Sequence, residues 1–181
     1  MGEKLPVDHF TGCLVGGAVG DALGAPIEFD SISGIRAKYG KQGIVDFTEF
    51  PNSTGEFTDD TQMALFTAEG LLRAMHREML KGIGGALLAI THHSYLRWLH
   101  TQGIPVKREN IANGTYDIEK GWLLQQRVLF KQRAPGNTIV SSLSSGHCGK
   151  IENPINNSKG CGTVMKIAPV QLDSRPEQNG I

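Results

Sequence analysis

A mainly helical fold is what this sequence predicts, and three observations point to it. Several long segments carry apolar residues at helical spacing, as Leu87, Ile90, Leu96 and Leu99 do. Clusters of Gly, Pro and Asn fall between most of these segments, notably at 82–85 and 134–137. Only one short stretch, Val45-Asp46-Phe47-Thr48-Glu49-Phe50, alternates in the manner of a strand.

The first helix is expected over about 9–23, with Asp8 able to cap it and Pro26 stopping it. Gly12, Gly16, Gly20 and Gly24 recur every fourth residue, which puts them on one stripe of that helix. Each glycine costs about 1 kcal/mol of helix stability relative to Ala. Such a stripe is explained by close packing of another backbone or by a ligand lying against it. A single helical turn is expected around 32–38, then irregular chain broken by Gly40 and Gly43. A second helix is expected over 60–79, a third over 86–100 and a fourth over 120–132. In the fourth, Trp122, Leu123, Val128 and Leu129 would face inward. The turn Ala134-Pro135-Gly136-Asn137-Thr138 precedes a short helix at 138–143. The Ser-, Gly- and Asn-rich loop at 144–160 then leads to Gly160-Cys161-Gly162-Thr163, a turn opening a last helix. Free backbone N–H groups at such a turn suit a phosphate or a ribose hydroxyl.

Composition narrows the function classes. Eighteen basic residues balance eighteen acidic ones, so no strong field favours nucleic acid or an anionic membrane. The apolar run 10–19 is too short to span a bilayer, and no secretory signal pattern is visible. Cys13, Cys148 and Cys161 form no C-x-x-C pair, so a reducing, cytoplasmic setting is expected. His92, His93 and His100 show no metal spacing and read as surface or cap residues.

The chain is organised around Thr58-Asp59-Asp60-Thr61, which stands directly before the apolar segment starting at Met63. Thr58 or Asp59 suits the N-cap of the second helix. Adjacent carboxylates repel each other; the helix dipole offsets part of that, and a hard divalent cation would offset more. A well-capped helix start and a metal site are both compatible with this run. Glu28, nearby in sequence to the small residues of the first helix, is either solvated or placed to hold a water.

Four motifs stand in order: Gly16-Gly17-Ala18-Val19-Gly20-Asp21-Ala22-Leu23-Gly24-Ala25-Pro26-Ile27-Glu28, Phe57-Thr58-Asp59-Asp60-Thr61-Gln62-Met63, Pro135-Gly136-Asn137-Thr138, and Gly160-Cys161-Gly162-Thr163-Val164-Met165-Lys166-Ile167-Ala168-Pro169. Together they resemble the ADP-ribosylglycohydrolase family, which includes dinitrogenase-reductase activating glycohydrolase and the ADP-ribosyl-acceptor hydrolases. The resemblance covers about residues 10–170.

It implies an all-α orthogonal helical bundle with a binuclear Mg²⁺ or Mn²⁺ centre in a cleft. The implied reaction removes ADP-ribose from a modified acceptor such as a protein arginine. By the same resemblance Thr58, Asp59 and Asp60 are metal ligands and Glu28 is a catalytic acid near the metals. Gly160, Cys161, Gly162, Thr163 and Met165 belong to a loop that meets the ADP-ribose. Implied partners are ADP-ribose or an ADP-ribosylated protein.

Two departures shape these expectations. Lys166 stands where the family usually has Arg, which weakens bidentate contact with an anion. The family's second metal cluster, Asp-x-Asp-Thr, is absent: after Asp60 the aspartates are Asp117 and Asp173. The chain is therefore expected to be a single domain over 1–181 that lacks the C-terminal part of the family domain. The alternative to a hydrolase is a non-catalytic relative that binds ADP-ribose or an ADP-ribosylated protein, or that neutralises an ADP-ribosyltransferase. A homodimer covering the open cleft is conceivable.

Overall fold

In the computed structural model, residues 7–50, 53–106 and 118–171 are described. The fold is all-α. Among the described residues the helices are α1 (Val7–Gly24), α2 (Ile32–Tyr39), α3 (Asp59–Lys81), α4 (Leu87–Thr101), α5 (Asn137–Ser144) and α6 (Val164–Gln171). The stretch 45–50, which alternates like a strand, contributes one isolated bridge, between Glu49 and Thr54.

Helices α3 and α4 build the core. Met63 and Phe66 of α3 meet Leu96, Trp98 and Leu99 of α4, and Leu123, Leu129 and Leu143 close over them. Burial of one such side chain stabilises by about 1.5–3 kcal/mol. The two helices cross closely at Gly70, where a Cβ would stand 2.8 Å from the Cα of Thr91. This glycine is therefore required by packing. The end of α3 is set by Gly82, whose φ of 63° forms a left-handed cap.

Gln62, Glu69 and Arg97 carry polar groups into this core and are paired there, whereas the Oε1 of the buried Gln102 has no partner among the described residues. Gln62, fully buried, donates from Nε2 to the carbonyls of Leu129 (3.3 Å) and Lys131 (3.0 Å). Its Oε1 accepts from Trp98 Nε1 at 3.1 Å and from Gln102 Nε2 at 3.3 Å. Glu69 and Arg97, also buried, form an ion pair at 2.9 Å, and Arg73 reaches Glu69 from one turn along α3 at 3.0 Å.

The expected fourth helix is replaced by two short 3₁₀ turns, Leu123–Gln125 and Arg127–Phe130. Gln126 between them is extended, with ψ of 97°. The physical reason lies in tertiary structure. Gln62 takes the carbonyls of Leu129 and Lys131, and the bends bury Leu123 and Leu129 while Trp122 and Val128 stay exposed. Local propensity yields to these contacts.

Helix α1 also departs from expectation. Only Ala22 is buried, and a Cβ on Gly12, Gly16, Gly20 or Gly24 would meet no other element within 4 Å. Among the described residues the glycine stripe therefore faces open space, without the close packing it suggests. Together with the turn that follows, α1 forms an apolar helical stretch of 21 residues, Val7–Ile27, longer than the run 10–19 considered from sequence. Its length and composition alone would let it cross a bilayer, a test that core helices and signal sequences also pass. Its later part, at Asp21, is hydrogen-bonded to α3.

A candidate active-site cleft at the start of α3

The first turn of α3 is held by Asp21, an acid from α1. The backbone N–H of Thr58 donates to Asp21 Oδ2 at 2.8 Å and the Thr58 hydroxyl to Oδ1 at 2.7 Å. Thr61 donates to Oδ2 twice, from its N–H at 3.1 Å and from its hydroxyl at 2.5 Å. A helix N-terminus leaves N–H groups without intrahelical partners, and a carboxylate suits both those donors and the dipole. Thr58 is the N-cap, its Oγ1 accepting from the Asp60 N–H at 3.2 Å. The sequence offers Thr58 as a cap, but nothing local marks Asp21, whose partners lie 37 and 40 residues away.

Asp59 and Asp60 follow the cap and differ in setting. Asp59 is buried; its N–H donates to the Arg133 carbonyl at 2.9 Å, and its Oδ2 accepts from the Gly136 N–H at 3.3 Å. Burial, with smaller contributions from Asp60 and Asp21, pushes its carboxyl up to about 6 against the opposing Gly136 hydrogen bond. Asp60 is half-buried. Burial first, then the charges of Asp21 and Glu28, raises its carboxyl as well.

These acids line two adjoining cavities. One, of about 440 Å³, brings together Glu28, Thr58, Asp59, Asp60, Gly160, Cys161, Gly162, Thr163 and Met165. Every site residue expected from sequence thus lines one cleft, between the start of α3, the start of α5 and the turn before α6. The other, of about 470 Å³, lies between α1, α3 and α6 and shares Glu28, Thr58, Asp60 and Met165 with the first. Cys161–Thr163 form a 3₁₀ turn that runs directly into α6, and Gly162 packs so closely on Ile139 that a Cβ would stand 2.8 Å from Cδ1. Lys166 lines the first cavity, its ammonium 4.7 Å from the centre of the Tyr95 ring, and burial lowers its pKa.

The donor set fits a hard divalent cation as a half-set. It offers two carboxylates and a threonine hydroxyl at one helix start, oxygen donors of the kind such an ion takes. Among the described residues no group of three or more acids, histidines or cysteines is placed to hold a metal ion. The three cysteines are free thiols. His92 and His93 are half-buried on α4, unlike the surface placement expected for them, whereas His100 is exposed and meets Phe130 edge-on at 6.1 Å.

Comparison with known proteins decides the family. The family model described as ADP-ribosylglycohydrolase matches residues 3–179. The chain belongs to the ADP-ribosylglycohydrolase family. Two relatives match the chain over 72 residues each. An uncharacterised protein of Archaeoglobus fulgidus is 42% identical over 38% of this chain and 23% of its own length. The ADP-ribosylarginine hydrolase Tri1 of Serratia proteamaculans is 40% identical over 40% of this chain and 19% of its own length. The chain thus matches about a fifth of the length of each of these relatives. No solved structure matches it.

Proposed function

We propose that this chain carries the catalytic cleft of a metal-dependent hydrolase that removes ADP-ribose from a modified acceptor such as protein arginine. The observation that supports this reading is the single cleft in which Glu28, Asp59 and Asp60 face the turn 160–163 and Met165. Family membership supports the reaction class. The named activity of the Serratia relative supports arginine as the acceptor.

Thr58, Asp59 and Asp60 would hold Mg²⁺ or Mn²⁺, through one hydroxyl and two carboxylates. Such ions, when bound, supply a polarised water and a grip on ribose hydroxyls. The rest falls to this chain's own groups. The turn 160–163, with Met165, would receive the ADP-ribose, its backbone N–H groups facing phosphate or ribose oxygens. Glu28, exposed and lining both cavities, would orient the attacking water and take or return its proton. In the overall reaction water adds at the anomeric carbon, the bond to the acceptor nitrogen breaks, and that nitrogen leaves with a proton. The free thiols support a cytoplasmic setting.

The test is release of ADP-ribose from an ADP-ribosylated arginine substrate, followed chromatographically with Mn²⁺, with Mg²⁺ and with chelator. Metal-dependent release that falls about 10²-fold or more in Glu28→Gln supports the reading. Tight binding of ADP-ribose without release would favour the non-catalytic relative. Neither binding nor release would sink both.

A further inference from the structure

We propose that the backbone N–H of Gly136 is a positioning group that aims the Asp59 carboxylate for cation binding, with the turn at 133–136 acting as its mount. The inference rests on the reading of Asp59 as a metal ligand.

This turn grips Asp59 at two points. The Arg133 carbonyl accepts from the Asp59 N–H at 2.9 Å, and the Gly136 N–H donates to Asp59 Oδ2 at 3.3 Å. Main chain and side chain of one aspartate are thereby referred to the same short segment. The mount is itself anchored. Arg133 Nη1 donates to the Phe57 carbonyl at 2.9 Å and to Glu56 Oε2 at 3.1 Å, and the guanidinium lies 4.2 Å from the centre of the Phe57 ring. Lys131 adds two contacts to Glu56, at 2.6 and 2.7 Å. The segment 56–59 that delivers Asp59 is thus held by the same stretch that orients its carboxylate.

Backbone strain marks the same place. Among the described residues Ala134 is the one non-glycine residue with a positive φ, at 54°. A left-handed alanine persists only where its surroundings over-determine it, and such residues cluster at functional sites. The Arg133 and Gly136 contacts on either side supply that constraint. Partners that orient a metal ligand from behind are worth roughly 10–100-fold in metal affinity.

Gly136 permits a narrow test. Its φ of −63° is one that proline adopts, and a Cβ there would meet only Ile139 Cδ1, at 3.9 Å. Gly136→Ala keeps the N–H; Gly136→Pro removes it and puts the ring Cδ where the N–H pointed, so the Asp59 carboxylate loses this seat. Binding of Mn²⁺ would be followed by its electron paramagnetic resonance signal, with urea midpoints measured in parallel. The expected result is affinity within about twofold of wild type for Gly136→Ala and about tenfold weaker for Gly136→Pro. Equal affinity in the proline variant overturns the inference while leaving the metal reading intact. No Mn²⁺ binding by the wild-type chain overturns both. Should the proline variant not fold, amide hydrogen exchange of Gly136 in Asp59→Ala decides. Acceleration of tenfold or more supports the Gly136–Asp59 bond, and an unchanged rate overturns the inference.

Discussion

Replacing Asp21 by Ala tests how the site is assembled. The substitution removes one carboxylate that accepts four hydrogen bonds, two from backbone N–H groups and two from hydroxyls. A hydrogen bond to a charged group contributes about 1.5–3 kcal/mol net. The four are not additive, and the site is half-buried, so water can reach part of what is exposed. The loss also relieves repulsion with Asp60, whose carboxyl is raised by burial first and by Asp21 second, and this offsets a small part of the cost. The expected net cost is about 3 kcal/mol. Urea denaturation should show this as a lower midpoint with an unchanged slope. Thr61→Val alone should cost about 1–1.5 kcal/mol, and the double variant should show a coupling of about 1 kcal/mol. A cost below about 0.5 kcal/mol for Asp21→Ala, or zero coupling to Thr61, would refute the idea that Asp21 organises the start of α3.

Three further outcomes are expected. Gly70→Ala should lower stability by about 1 kcal/mol, because overpacking against Thr91 Cα exceeds the roughly 1 kcal/mol gain in helix propensity; a thermal melt checks it. Gly12→Ala and Gly16→Ala should each raise stability by about 0.5–1 kcal/mol, since their Cβ atoms would enter open space. A drop in the melting temperature would instead reveal another segment or a second copy packed on α1. Burial, aided by His92 and Arg97, lowers the His93 pKa from 6.5 to about 4. The unfolded chain then binds more protons between those values, so stability should fall as pH drops from 6.5 towards 4. Discounted for the half-exposed ring, the His93 share is about 1–2 kcal/mol, and the difference between wild type and His93→Gln across a urea–pH series measures it.

Much of this was legible from residues that act locally. Thr58 before Asp59, and Gly82 after Lys81, set the ends of α3 through contacts within one turn, and the sequence shows both. The motifs at Glu28, Thr58–Asp60 and 160–165 were legible as well, and the fold gathers them in one cleft. What stayed hidden depends on distant partners. Asp21 looks like one more residue of a glycine-rich helix until Thr58 and Thr61 arrive from 37 and 40 positions away. The stretch 120–132 has helical periodicity, yet Gln62, a fully buried amide on α3, captures its carbonyls. Gly136 shows its hydrogen bond to Asp59 only across 77 residues.

The thin attachment of α1 carries a consequence for heat and proteases. Free energies of local opening run from near zero up to that of global unfolding, and few buried contacts place a segment low on that scale. With Ala22 its one buried residue, α1 depends heavily on Asp21 for its hold on α3, and the turn after it carries Glu28. Order in the candidate cleft and the circular-dichroism melt should then part company. On warming, Glu28 would lose its place in the cleft, and a protease would nick near α1, while the α3–α4 pair is still intact.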